Sequence, residues 1–229
     1  MREEPGMKRV LGAVAITGAV LAGMSGCFVG DDDERRDVSY AVAEPVRVLV
    51  VQGRVGGVVV RGGGSGVRVT EHQSYRGEAP RSNHELKDGT LTLTYDCEDC
   101  GLGYEVDVPA GTAVRVTAET GGVRLSGLAG EVEATVSTGG VEATGLTSRT
   151  ALLRSGTGGV EASFAAAPAR VEARTGTGGV RLWVPAGDAY AVDASTGTGE
   201  VDVAVPRQPG APRGILARAE TGGVTVGHG

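Results

Sequence analysis

The chain has 229 residues, a formal net charge of −6, forty glycines and only 3% aromatic residues. An acidic balance with no basic stripe and no interleaved aromatics argues against nucleic acid as a partner. No segment is apolar for the roughly 20 residues that a membrane-spanning helix needs. The first 26 residues read as a removable secretory signal: Lys8 and Arg9 form the basic part, Val10 to Gly23 is uncharged, and small residues lead to Cys27. Met7 makes a cleaner start to that signal than Met1, because Arg2, Glu3 and Glu4 mix charges where a basic region belongs.

The segment Leu21-Ala22-Gly23-Met24-Ser25-Gly26-Cys27 resembles a lipobox, with Met24 where leucine is commoner. That resemblance implies lipidation of Cys27 by a diacylglyceryl group, a further acyl chain such as palmitate, and a new N-terminus at that cysteine. Two acyl chains anchor a protein stably where one does not, so the expected location is extracytoplasmic, with the membrane as a partner through the lipid. Residues 27–37, rich in aspartate, suit a flexible acidic tether. Three consecutive aspartates on such a tether lack the fixed geometry of a calcium site, so no metal is assigned there.

Residues 38–229 form the expected folded domain, irregular over 38–107 and regular over 108–229. In the first part, Val46–Val50, Val58–Val60, Val67–Val69 and Leu91–Tyr95 look like strands, the polar stretch His72 to Lys87 looks like a long connection, and Asp88-Gly89 is a hairpin signal. Cys97-Glu98-Asp99-Cys100 follows. Export favours a disulfide between Cys97 and Cys100. Zinc would need two further ligands, for which His72 and His84 are the nearby histidines, and a redox pair would want a helix N-terminus that the pattern does not offer.

From Val108 onward the chain repeats. Thr-Gly-Gly-Val occurs at Thr120, Thr138, Thr157, Thr177 and Thr221 and Thr-Gly-Glu-Val at Thr198, at successive spacings of 18, 19, 20, 21 and 23 residues. Around each tetrapeptide, apolar and polar residues alternate strictly: Val132, Ala134 and Val136 against Glu133 and Thr135, then Val141 and Ala143 about Glu142. Alternation of this kind marks strands with one buried and one solvated face. A Gly-Gly pair between two strands marks a sharp corner. A unit of two strands and a corner cannot bury its apolar face alone, so the expectation is an all-β, single-domain β-solenoid in which coils of about 18–23 residues stack. A β-sandwich, whose loops would vary more, is the alternative.

The Thr-Gly-Gly-Val corners, the phrases Val108-Pro109-Ala110-Gly111 and Val184-Pro185-Ala186-Gly187, and Ser126-Gly127-Leu128 with Thr144-Gly145-Leu146 resemble a bacterial putative-adhesin family of β-solenoid domains. The resemblance runs from about Val46 to the end and implies architecture rather than chemistry. Many members carry Gly-Ser-Gly-Asp at the corner, whereas here only Glu200 and Asp202 keep an acid nearby. No nucleophile stands with a base and an orienting acid, and the run Gly62-Gly63-Gly64-Ser65-Gly66 opens no helix, so neither catalytic residues nor a cofactor are assigned. The functional expectation is a lipid-anchored, non-catalytic surface protein that presents a solenoid face to an envelope protein or glycan. The alternative is a structural or sensory envelope component acting through a membrane-protein partner. Alternation turns Arg181 and Trp183 outward, which makes them a candidate binding surface or, for Trp183, a cover over the adjacent rung. The outward column Arg124, Glu142, Glu161, Arg181, Asp202, Thr225 should form a charge ladder, opposed at its Glu142–Glu161 step.

Overall fold

A computed structural model describes residues 34–96 and 99–229, and among them the regular structure is entirely strand. The N-terminal region contributes β1 (Glu34–Val42), β2 (Val48–Val55), β3 (Val58–Gly62), β4 (Val67–Tyr75), β5 (Arg81–Lys87), β6 (Thr90–Asp96) and β7 (Cys100–Val108). The regular repeats contribute β8 (Ala113–Thr120), β9 (Val123–Ser126), β10 (Val132–Thr138), β11 (Val141–Leu146), β12 (Thr150–Thr157), β13 (Val160–Phe164), β14 (Arg170–Thr177) and β15 (Val180–Val184). The chain ends with β16 (Ala191–Thr198), β17 (Val201–Val203), β18 (Gly214–Thr221) and β19 (Val224–His228).

Each repeat places one strand in each of two facing sheets, with the Gly-Gly corner between them. One sheet runs β16-β18-β14-β12-β10-β8-β2-β6-β5 and the other β1-β4-β7-β3-β9-β11-β13-β15-β19-β17. Neighbouring repeats pair parallel and in register, so that Val136 faces Ser155 and Thr138 faces Thr157. Equivalent residues therefore stack in columns at about 4.8 Å. The inward columns of Val, Leu and Ala form one continuous core between the sheets, in which Leu125, Leu153 and Leu182 are fully buried.

The corner explains the glycine pattern, and only its first glycine is obligatory. Gly158 has φ +135°, and a Cβ there would lie 2.3 Å from the Gly139 carbonyl oxygen of the rung beside it. Two reasons thus exclude a side chain: the left-handed backbone and the contact between rungs. The second glycine, Gly159, meets nothing nearer than 3.4 Å. Glu200 occupies that position in its own repeat. Corner backbones hydrogen-bond to one another, as from Gly139 N–H to the Thr157 carbonyl at 2.7 Å, so pairing continues around the bend. Inward hydroxyls accompany them: Ser155 donates to the Gly139 carbonyl at 2.8 Å and Thr175 to that of Gly158 at 2.6 Å.

Three features depart from the sequence expectation. First, the rungs do not stack in chain order at either end. β18 and β19 insert between β14/β15 and β16/β17, and β2/β3 lies between β6/β7 and β8/β9. At the C-terminal end the reason is burial. The inward residues Ile215, Ala217 and Ala219 of β18 are more apolar than Val192, Ala194 and Thr196 at the matching positions of β16, and the end rung β16/β17 leaves Val192 and Val203 half-buried and Val201 42% exposed. The more apolar rung takes the doubly paired position, which also holds the last strand on both sides. Second, the stretch expected as a connection is mostly strand, because β4 reaches Tyr75 and β5 spans Arg81–Lys87. Third, residues 34–37 of the expected tether belong to β1, paired antiparallel with β4 from Glu34 to Val42.

The end of β4 and all of β5 escaped the pattern, although Val67–Val69 was read as a strand, because their inward positions are not uniformly apolar. Glu71 and Gln73 point inside, with Glu71 1% exposed. The Tyr40 hydroxyl and the Gln73 amide each donate to the Glu71 carboxylate at 3.1 Å. The His84 ring lies 4.8 Å from that of Tyr40. Burial, and then the Glu71 charge, push the Tyr40 phenol above its ordinary pKa. The Asp88-Gly89 hairpin forms as expected, with φ +52° and +75° joining antiparallel β5 and β6.

Candidate binding surfaces

Cys27 and Cys97 lie outside the described residues. Cys100 opens β7, partly buried against the core and in register with Tyr75 of β4. The remaining nominated pair, Arg181 and Trp183, sits on the outer face of the second sheet. Arg181 is 3.5 Å from the Glu161 carboxylate on the preceding rung. Trp183 is half-buried between Ser163 and Gly227 of the flanking strands. A Cβ on Gly227 would lie 3.8 Å from the indole Cδ1, and one on Gly229 3.2 Å from the Trp183 Cβ. Trp183 therefore lies over Gly227 of β19 and over Gly229 just beyond its end, an aromatic shield over glycines.

The charge ladder beside them forms largely as expected. Arg124 pairs with Glu142 at 3.4 Å and Arg181 with Glu161 at 3.5 Å, leaving Glu142 and Glu161 on adjacent strands. The displaced last rung reverses the end of the column, which reads Arg181, Thr225, Asp202. Exposed pairs of this kind contribute about 0.2–1 kcal/mol each.

The first sheet carries a larger feature that motif reading missed. Thr117, Thr135, Arg154, Arg174, Arg218 and Ser195 form one outward column across six strands. Two residues further along the strands stand, in sheet order, Glu119, Ser137, Gly156, Gly176, Glu220 and Gly197, followed by the column of corner threonines. The small residues are a packing requirement, since a Cβ on Gly156 would lie 2.5 Å from the Ser137 carbonyl oxygen and one on Gly176 2.6 Å from that of Gly156. Between the taller columns Ser137, Gly156 and Gly176 make a sunken floor over three adjacent strands, with Glu119 on one side and Glu220 on the other. The resulting trough has a volume of about 670 Å³ over β10 to β16. A second hollow of about 350 Å³, lined by Gln52, Arg54, Thr94 and Glu119 among others, continues it over β8, β2 and β6.

Carboxylates at the trough's rim hold its arginines. Glu172, 14% exposed, accepts from Arg154 at 2.7 Å and pairs with Arg174 at 3.2 Å. Arg218 donates to Asp193 at 2.5 Å. The Arg154 hydrogen bond holds the Glu172 carboxyl below the usual glutamate range, against the opposing effect of burial and with help from the charges of Arg174, Arg154 and Arg170. Aligning the repeats on their corners would have put Arg154, Arg174 and Arg218 in one column, so the signal was present. The chain-order stack would have set Ser195 between Arg174 and Arg218. Only the exchanged last rungs bring the three arginines together.

This two-sheet architecture has been seen before. A putative cell adhesion protein from Clostridium sporogenes superposes with a TM-score of 0.52 at 13% identity, covering 86% of this chain and all of its own. A putative adhesin from Bacteroides fragilis covers 85% of this chain and 97% of its own at 14% identity, with a TM-score of 0.45. The first of these likenesses shows a common fold. No family model matches the sequence, and no curated protein matches it.

Proposed function

We propose that the chain is a lipid-anchored, non-catalytic protein of the cell surface, held by acyl chains on Cys27, whose stacked two-strand units form a β-solenoid that presents a face for binding or adhesion. The observation that carries this reading is the fold shared with the Clostridium sporogenes protein described as a cell adhesion protein. The in-register columns support it, because they turn a repeated side chain into a long periodic surface of the kind stacked repeats use for recognition. Arg181 with Trp183 is one patch of that surface. Cys97 and Cys100 form a disulfide in this reading, rigidifying the segment before β7, with little entropic effect from so short a loop.

The anchor is tested by Cys27→Ala. The wild type should partition with membranes and take up a fatty-acid label, and the variant should lose both. Equal labelling would remove the lipoprotein assignment. Purified wild-type protein should also bind intact cells or isolated envelope, and absence of binding would remove the adhesion reading. Cys97 and Cys100 should resist a thiol reagent until reduced.

A further inference from the structure

We propose that the trough on the outer face of the first sheet is a binding site for a linear polysaccharide bearing carboxylate groups. The proposal deepens the surface-binding reading and rests on it.

Four observations converge on this ligand. The trough crosses several rungs: four spacings of about 4.8 Å separate β10 from β16, or about 19 Å, at right angles to the strands, and a separate hollow lies beyond it over β8, β2 and β6. Three arginines, Arg154, Arg174 and Arg218, stand on successive strands of its lining against one lining carboxylate, Glu220, with Glu172 and Asp193 paired to them at the rim. The arginines are pre-positioned, since the low-lying Glu172 fixes Arg154 and Arg174 together and leaves most of their N–H donors unused. Finally, the buried Arg154 Nε has no hydrogen-bond acceptor among the described residues.

Guanidinium groups match carboxylates in a planar two-pronged geometry that other donors do not reproduce. Three of them on successive strands repeat at a spacing close to the length of one extended sugar unit, so a polymer lying along the trough meets each rung in similar phase. The hydroxyls of Thr135, Ser137 and Ser195 beside them suit sugar hydroxyls. An acidic peptide fits less well. Extended peptides gain affinity from an unpaired strand edge or from pockets for apolar side chains, and of the strands beneath the trough only β16, at the end of the sheet, has an open edge, while the arginines lie on β12, β14 and β18, which are paired on both sides.

The test uses the purified full chain and calorimetric titration with hyaluronan and polygalacturonate as carboxylated polysaccharides, dextran as a neutral one and poly-glutamate as an acidic peptide. At least one carboxylated polysaccharide should bind, with affinity falling as salt rises, while dextran and poly-glutamate should not. Ser137→Glu/Ser195→Glu places negative charge in the trough without removing an ion-pair partner and should weaken binding by about tenfold or more. Arg124→Ala on the opposite sheet should leave it unchanged, and circular dichroism should show both variants folded. Binding by neither carboxylated polymer, equal binding of dextran or poly-glutamate, or an unaffected double variant would overturn the proposal. Undiminished binding of the double variant to intact cells would overturn the trough while leaving the surface-binding reading standing. Wild-type protein that fails to bind cells at all would remove that broader reading.

Discussion

The regular rungs from β8 to β15 and the N-terminal end from β1 to β7 solve the same problem, filling the space between two sheets, with different materials. The regular rungs use small aliphatic residues and satisfy their few inward hydroxyls at corner carbonyls, as Ser155 and Thr175 do. The N-terminal end buries a glutamate, a glutamine and several tyrosines, and closes the stack with the antiparallel strands β1, β4 and β5. The outward face of β5, with Arg81, Asn83, Glu85 and Lys87, puts charged and polar groups on an exposed edge strand, which discourages pairing with another chain. The contrast shows where stability is concentrated. In the rungs it depends on backbone approach at the corners and on aliphatic packing, and at the N-terminal end on aliphatic packing together with the polar group around Glu71.

The corner should give the largest effect. Gly158→Ala forces a Cβ into a backbone carbonyl at a positive φ, so a loss of about 4 kcal/mol or more, or failure to fold, is expected in urea unfolding. Gly159→Ala should cost less than about 1 kcal/mol, since that position has room and Glu200 already occupies its equivalent. Similar losses at both positions would show that the corner as a whole, rather than its first residue, sets the stacking.

Core substitutions should separate the two regions next. Leu153→Ala removes a fully buried side chain from the aliphatic column and should cost about 2–5 kcal/mol. Glu71→Ala leaves the Tyr40 hydroxyl and the Gln73 amide without their acceptor in a buried site and should cost about 1–3 kcal/mol. Glu71→Leu decides which material matters. A variant as stable as wild type would mean that the polar network can be replaced by apolar packing, and a loss like that of Glu71→Ala would mean that its hydrogen bonds must be kept whole.

The same contrast governs what could be read from the sequence. The rungs were legible because alternation, corner and spacing agree in every copy: Val132, Ala134 and Val136 sit inside as the period predicts. β4 beyond Val69 and β5 were not, because Glu71, Gln73 and His84 stand where an apolar residue would mark a strand. The exchange of the last two rungs was also hidden, since all copies share the same corner and nothing local says which neighbour each will choose. That choice follows from total burial, a property of the assembled stack. Of the surfaces, Arg181 and Trp183 could be placed on the outer face from alternation alone, and the indole also lies over Gly227 and Gly229, while the arginine trough is built from residues unremarkable singly and distinctive only once stacked.

The smallest expected effect compares two carboxylates, one from each region. Glu172 lies low beneath Arg154 and Arg174, whereas Glu105, hydrogen-bonded by Arg61, is 39% exposed. Both are held below the usual glutamate range in the folded chain by an arginine hydrogen bond first of all. A carboxyl with a depressed folded pKa binds fewer protons folded than unfolded. Its stabilisation is therefore fully present above the ordinary value of about 4.3 and is lost as pH falls through the lower folded value. Glu172→Gln should thus cost about 1 kcal/mol at neutral pH, and variant and wild type should converge in acid. Glu105→Gln should follow the same curve at a few tenths of a kcal/mol, because water and salt screen an exposed pair. Urea midpoints measured between pH 3 and pH 7 at two salt concentrations would separate the cases: a salt-insensitive Glu172 effect means that the arginines over the trough are fixed from below, and a salt-sensitive one means that they are ordinary surface charges.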